Sequence, residues 1–285
     1  NYSTEHFHRF STLNEQNMIP TICKVVTELM TTPGYDAMDM TDVDLLDSML
    51  ALKIKFYGKM HNYQYMCECQ RDVPDRQKTL SEHIIDLTGV KMRSVSEADE
   101  RIRQVLEPIY RGLTPKQLKP LLVRKFKEDA EGKTVDDLLA ATKVTDRQMI
   151  VNRGELVELC YTRMRHIVRA QSLTNVKFGP LLKQVNRMQA KPNESLADFH
   201  AHKEYRLEQL NEEKVQYQLM ATRALTIQSV NGQPIDSDSE KINYYKAIDG
   251  TALTNLKTVL EIGQFGVIDE REITCNLCGE TSRRS

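Results

Sequence analysis

The chain has 285 residues, 40% apolar and 28% charged, with 39 basic against 40 acidic side chains. That apolar share supports a sizeable core in one large domain or two ordinary ones, and excludes a disordered chain, which needs low hydrophobicity and strong net charge. A net charge of −1 leaves no global field to draw in DNA or an anionic membrane. No apolar run approaches the roughly 20 residues that span a bilayer, and no signal-peptide pattern opens the chain. The cysteines (Cys23, Cys67, Cys69, Cys160, Cys275 and Cys278) therefore read as reduced thiols or metal ligands rather than a disulfide frame. The chain starts at Asn1 without an initiator Met and stops shortly after Cys278, which points to a slightly longer polypeptide.

Ile22, Val25, Val26 and Leu29 recur at helical spacing, and Thr32-Pro33-Gly34 ends that helix. Thr41 is positioned to cap a second helix, with Asp44 at the capping-box position and Leu45, Leu46, Met49, Leu50 and Ile54 as its apolar face. Gly58 stops it. From Lys59 to Cys67 the sequence alternates, with His61, Tyr63, Tyr65 and Cys67 on one side, as a strand does. Arg71 to Lys78 reads as a loop around Pro74, and His83 to Met92 as a second strand around Gly89.

From Ser96 onward the pattern predicts helix almost throughout. Pro115 after Thr114 is a favoured first helical position, and Thr134 and Thr145 read as further caps, the latter with Gln148 completing a capping box. Phe178, Leu181, Leu182, Val185 and Met188 mark another helix, broken at Pro192. A long helix is predicted from about Ser195 to Val230, stopped by Asn231-Gly232-Gln233-Pro234. Ser237 and Glu240 form a capping box for the next helix, and Leu253, Leu256, Val259 and Leu260 mark one more, ending at Gly263. Phe265-Gly266-Val267 leads into a short strand reaching Cys275. The expected fold is mainly α with small β elements (α+β). Its expected parts are a mixed N-terminal part over residues 1–95, a helical region over 96–230, and a C-terminal helix–strand–cysteine segment over 231–285 that packs with 1–95.

The chemistry concentrates in cysteine. Cys275-Asn276-Leu277-Cys278-Gly279 is half of a tetrahedral metal site, with Gly supplying backbone freedom after the second thiolate. Cys67-Glu68-Cys69, also at a strand end, is the candidate other half, so Cys67, Cys69, Cys275 and Cys278 form an expected four-thiolate structural zinc site. The alternative is a set of unrelated reduced thiols. Cys23 and Cys160 sit on expected helical apolar faces and read as core. His200 and His202 are two apart on a helix and cannot share a metal as an i, i+4 pair would. His6 and His8 are close to the start of the chain. No phosphate-binding loop, nucleophile elbow or acidic metal motif is present, so the sequence predicts a binding protein and no catalytic residues.

Two resemblances bear on function. Gln189, Glu194 and Phe199 loosely resemble the major homology region of retroviral Gag capsids, with an extra residue between Gln189 and Glu194 and no Gly. That implies the alternative reading, a Gag-like or other helical shell-forming structural protein. The broader match is at the C-terminus. Ala224-Leu225, Ser229-Val230-Asn231-Gly232-Gln233-Pro234-Ile235, Gly263-Gln264-Phe265-Gly266-Val267 and Ile273-Thr274-Cys275 to Gly279 occur in that order. This ending resembles the T-even-type bacteriophage baseplate hub and tail-assembly protein family. Thr41-Asp42-Val43-Asp44, Tyr57-Gly58 and the strand into Cys67 and Cys69 resemble its N-terminal pattern, with Gln70 where a Gly is expected. The resemblance covers the two ends and leaves the middle unaligned. It implies a structural or assembly component of a contractile tail baseplate, made in the host bacterial cytoplasm and found in the virion. Its implied partners are other tail or baseplate hub proteins, with no nucleic acid and no membrane span. The helical region 96–230 is the expected docking surface, with Tyr205, Tyr217, Leu219 and Met220 as candidate anchors.

Overall fold

The computed structural model describes residues 9, 17–74, 77–90, 92–144, 146–190, 195–262, 266–267 and 271–284. The predicted His6, His8, Thr145, Pro192, Glu194, Gly263 and Phe265 features lie outside the described residues. Helices dominate, with small antiparallel sheets, so the fold is mainly α with small β elements. No described helix is long and apolar enough to cross a membrane. Contacts divide the chain into a larger unit, residues 1–42 and 99–263, and a smaller unit, residues 43–98 and 264–285.

The larger unit contains α1 (Met18–Leu29), most of α3 (Val95–Arg111), α4 (Pro115–Phe126) and α5 (Val135–Ala141). Both expected caps are made: Thr114 with Gln117 and Thr134 with Asp137 close capping boxes. The next stretch departs from the helical expectation. β4 (Gln148–Asn152) and β5 (Glu155–Leu159) form a hairpin, joined by Arg153 at φ 49° and Gly154 at φ 86°. Two left-handed residues in a row are what a two-residue hairpin turn of type I′ needs. Gln148, expected to cap a helix, instead begins β4, and its amide donates to the carbonyls of Lys143 and Asp146 at 3.0 and 2.9 Å.

After α6 (Met164–Asn186), the long helix α7 runs over Leu196–Leu225 and does not reach Val230. Ile227–Val230 is strand β6, and the Asn231-Gly232 pair, at φ 50° and 79°, is a second hairpin turn leading to β7 (Gln233–Pro234) rather than a helix stop. The four-stranded order is β4-β5-β6-β7. α8 (Asp238–Ala247), capped by Ser237, and α9 (Gly250–Ile262), where the Asp249 side chain accepts from the Ala252 N–H at 2.8 Å, complete this unit.

Residues 231–262 were expected to go with the N-terminal part; the contact division falls at 263 instead. The reason is visible in the polar contacts of the sheet. Asn231 hydrogen-bonds both ways with the Leu156 backbone, at 2.7 and 2.9 Å. Buried Asn152 donates to the Tyr244 hydroxyl at 3.0 Å and accepts from the Asp249 N–H at 3.1 Å. Ile150, Val157, Leu159, Ile227 and Leu256 are all fully buried. Cys160 follows the end of β5 and is not on a helical face, whereas Cys23 is buried on α1 as expected.

The smaller unit opens with α2 (Asp42–Tyr57), whose last turn is closed by Gly58 at φ 87°, its N–H on the Ile54 carbonyl at 3.1 Å. β1 (Met60–Tyr65) pairs with β2 (Ser81–Asp86), placing Tyr63 opposite His83 and Tyr65 opposite Ser81. The strand predicted over 83–92 is interrupted. After Asp86 the chain makes a 3-10 turn, Leu87–Gly89, with the Asp86 carboxylate accepting from the Thr88 N–H, and only Met92–Arg93 returns to strand as β3. β3 pairs with β8 (Gly266–Val267), joining the N-terminal part of this unit to its C-terminal part. β9 (Arg271–Thr274) and β10 (Thr281–Arg284) form the last hairpin.

Candidate metal centre

Each cysteine pair sits where a strand pair turns. In the C-terminal hairpin, Thr274 pairs with Thr281, and the intervening residues fold into a tight loop. The Cys275 N–H donates to the Glu280 carbonyl, and the Gly279 N–H to the Cys275 carbonyl, both at 2.8 Å. Gly279 has φ 75°, a left-handed conformation that costs a glycine little and explains its place directly after the second cysteine. The Leu277 N–H points at the Cys275 sulfur, 3.4 Å away.

The N-terminal pair is built differently. Cys67 ends the extended segment after β1, and Glu68–Gln70 make a short 3-10 turn with the Gln70 N–H on the Cys67 carbonyl at 3.0 Å. Gln70, where the resemblance led to expect Gly, uses its side chain to close this loop. Its amide nitrogen lies 3.6 Å from the Cys69 sulfur and its amide oxygen accepts from the Thr79 N–H at 3.2 Å.

Packing draws the two turns together. Tyr65, Cys67, Ile273 and Cys275 form one buried cluster with Tyr63 against it, and the Tyr63 and Tyr65 rings stack at 5.7 Å. The side-chain alternation along β1 puts Tyr63, Tyr65 and then Cys67 inward, as the sequence period requires. Ser81, fully buried at the start of β2, spans to the other turn. Its hydroxyl donates to the Asn276 side-chain oxygen at 2.6 Å and accepts from the Asn276 N–H at 3.2 Å. Ser81 is a functional position that sequence reasoning missed, because nothing local marks a serine in a strand as a strut for a loop 195 residues away.

The result brings all four predicted residues together. The ligand atoms of Cys67, Cys69, Cys275 and Cys278 lie within 4.8 Å of one another, and the Cys67 and Cys278 sulfurs are 3.8 Å apart. A tetrahedral ion with metal–sulfur bonds of about 2.3 Å has sulfur–sulfur edges of about 3.8 Å, so the donor set has the dimensions of a four-thiolate site. The separation is far from the roughly 2.05 Å of a disulfide, and all six cysteines are free thiols. Among the described residues this is the only group of three or more His, Cys, Asp and Glu side chains with metal-holding geometry. His200 and His202 are exposed on α7 and take no part.

The thiols do not titrate alike. The neighbouring Ser81 hydroxyl, aided by the backbone N–H groups of Cys278 and Leu277, outweighs burial and holds Cys275 down at about 6. At Cys67 the backbone N–H of Cys69 favours the thiolate, but burial and the surrounding thiols of Cys275, Cys69 and Cys278 push it up to about 12. Cys278 is also raised: the Glu280 backbone favours its thiolate, while burial and the thiols of Cys275 and Cys69 oppose it. One thiolate forms readily here; four negative sulfurs at this spacing need a cation among them. Soft sulfur donors in a tetrahedron suit zinc or iron, and four protein ligands leave no open position for a substrate.

Comparison with protein-family models, with characterised proteins and with solved structures found no match.

Proposed function

We propose that this chain is a structural or assembly component of a contractile bacteriophage tail baseplate, of the T-even hub type, that works by binding other baseplate proteins and catalyses nothing. The observation that supports this most is the meeting of Cys67-Glu68-Cys69 with Cys275-Asn276-Leu277-Cys278. The resemblance to the hub family rests on sequence pieces at the two ends of the chain. Of these, Tyr57-Gly58, the strand into Cys67 and Cys69, and Ile273 to Gly279 fall in the smaller unit around a shared cluster of thiols, whereas Ala224 to Ile235 falls in the larger one. Within this reading the four cysteines bind one zinc ion that is structural, and Cys67, Cys69, Cys275 and Cys278 are its ligands. Zinc supplies folding free energy to a unit of fewer than 80 residues. The chain's own residues order the site: Ser81 fixes the C-terminal turn through Asn276, and Gln70 closes the N-terminal turn over Cys69.

The test is genetic and morphological. Disruption of this gene in the virus that carries it should leave filled heads and incomplete baseplates in infected cells, and a Cys275→Ser allele should give the same defect. Normal tailed particles in the disrupted virus would overturn the assignment. Genes for tube, spike and wedge proteins are expected beside it.

A further inference from the structure

The four cysteines of the cluster are not equally sheltered. Cys67 and Cys275 are 5% and 1% exposed, whereas Cys69 and Cys278 open to solvent. Cys278 lies in the loop between β9 and β10 and is followed by Gly279, the left-handed residue that turns the chain back. Cys67, at the end of the extended segment after β1, has its sulfur 3.8 Å from that of Cys278. The other open thiol, Cys69, has the Gln70 amide nitrogen 3.6 Å away, and Gln70 is in turn held by the Thr79 N–H. Cys275 is steadied from the far side, with the Leu277 N–H on its sulfur and Ser81 fixed to the neighbouring Asn276. The Cys67–Cys278 pair thus sets an open thiol against a sheltered one at close range, across 211 positions of the chain.

Oxidation of a cysteine follows its thiolate character and its exposure, and reversible sensors set an open cysteine beside a resolving one. Zinc has no redox change of its own, so in a four-thiolate centre the electrons must come from sulfur. A sulfur that gives them up is no longer an anionic ligand. The Cys67–Cys278 separation has to shorten by about 1.8 Å to reach a disulfide bond, and Cys278 sits in a short exposed loop rather than within a strand.

We infer that Cys67 and Cys278 are a redox pair: hydrogen peroxide joins them as a disulfide, which expels the metal ion and ties the two cysteine turns covalently in its place. The pairing rests on the sulfur positions alone, and the expulsion rests in addition on the zinc reading above. The Cys278 thiolate attacks one peroxide oxygen, the O–O bond breaks and hydroxide leaves, giving a sulfenic acid at Cys278. The Cys67 thiolate then attacks the Cys278 sulfur, the S–O bond breaks and a second hydroxide leaves. Two protons from solvent turn both hydroxides into water; the two sulfurs have lost two electrons and the peroxide has gained them. Cys69 and Cys275 remain as thiolate donors, half of a four-ligand site. The cross-link restrains the unfolded chain, and that restraint grows with the length of the loop it closes. Reducing surroundings favour the metal-bound thiolates and oxidising ones the disulfide.

The full chain, purified reduced and supplied with zinc, is treated with hydrogen peroxide while released zinc is followed with a colorimetric chelator and disulfides are mapped by mass spectrometry. Cleavage after Glu68 separates Cys67 from Cys69, and cleavage after Leu277 separates Cys275 from Cys278, so the linked partners can be assigned. The expected result is about one zinc released for each Cys67–Cys278 link formed, with Cys23 and Cys160 still reduced. Dithiothreitol with added zinc should restore the starting state. Cys69→Ser keeps both members of the pair and should form the same link, whereas Cys278→Ser should leave the two ends unlinked; the wild-type map decides the matter if either variant misfolds. A chain that neither carries nor takes up zinc contradicts the zinc reading, and the same map of the metal-free chain then decides the pairing. Links confined within one turn, a link from Cys69 to the C-terminal turn, or further oxidation of Cys278 with no link would each overturn the pairing. Zinc that stays bound while the link forms would overturn the expulsion.

Discussion

In the larger unit Ile102, Leu106, Ile150, Leu159, Ile227 and Leu256 are sealed from solvent. In the smaller unit the buried cluster around the cysteines is Tyr65, Cys67, Ile273 and Cys275, half of it sulfur, while Met60, Leu80, Ile84 and Leu277 of the same unit are exposed. A unit of fewer than 80 residues falls in the range where apolar burial alone rarely suffices and a staple is commonly added. On the proposed zinc reading the same chain holds its fold in two ways: hydrophobic closure in one part, and sulfur donors around one ion in the other.

Metal removal should separate the two parts most sharply. Structural zinc contributes on the order of 10 kcal/mol in small peptides, so chelation or Cys275→Ser should strip hydrogen-exchange protection from 60–65, 81–86 and 271–274. Amides of 150–159 and 210–225 should keep theirs. Equal loss in both sets, or none in either, breaks the comparison.

Within the larger unit, Leu159→Ala should cost about 2–5 kcal/mol by denaturant titration, because it leaves a cavity at a fully buried position of the central sheet. The zinc content should not change. Glu158 comes next. Its carboxylate is buried and takes Arg124, Arg147 at 3.0 Å and Ser229 at 2.8 Å, and against the opposing pull of burial these partners hold its pKa down to about 2. Arg124 and Arg147 are themselves half exposed and can return to water, so Glu158→Gln should cost about 2 kcal/mol, less than a fully buried pair would.

The pH dependence follows from the same groups. Glu158 is lowered on folding, so its contribution is complete above about pH 4.5 and is lost as pH falls toward 2. Burial and the nearby cations Lys241, Arg163 and Arg165 lower His166 to about 4, so the unfolded chain takes up that proton first and stability declines from about pH 6.5 down to 4. Urea midpoints measured between pH 7 and 3 should show both steps in wild type and lose the lower one in Glu158→Gln. The smallest effect is at a cap: Thr134→Ala removes the acceptor for the Asp137 N–H and should cost about 1 kcal/mol by thermal melting.

What the sequence made legible follows from how local each signal is. The helices over 18–29, 115–126, 135–141 and 238–247 announce themselves through caps and periodic apolar residues next to one another in the chain, and the structure has them. The β4–β5 hairpin was missed because Arg153-Gly154 is a less familiar pair than Asn-Gly for a turn with two left-handed residues, and because a short buried run such as Met149 to Val151 lacks alternation. Asn231-Gly232 carries the stronger turn signal, yet after a long helix it reads as a terminator; only the pairing of β6 with β5 makes it a hairpin. The cysteine cluster was legible because thiols at the ends of strands have few other uses. The struts that order it, Ser81 and Gln70, were not, since their partners are chosen by tertiary contact. Leu46 and Met49 show the opposite failure. Their spacing matches the apolar pattern of a core, and the fold leaves them on the surface.

X-ray absorption at the zinc edge of the purified full chain, together with metal and thiol counts, bears most directly on the four-cysteine site. The account predicts one zinc per chain with four sulfur neighbours at about 2.3 Å, and only Cys23 and Cys160 left as uncoordinated thiols. A metal-free chain that keeps β1–β2 and β9–β10 folded, or a coordination shell containing nitrogen or oxygen, would contradict it.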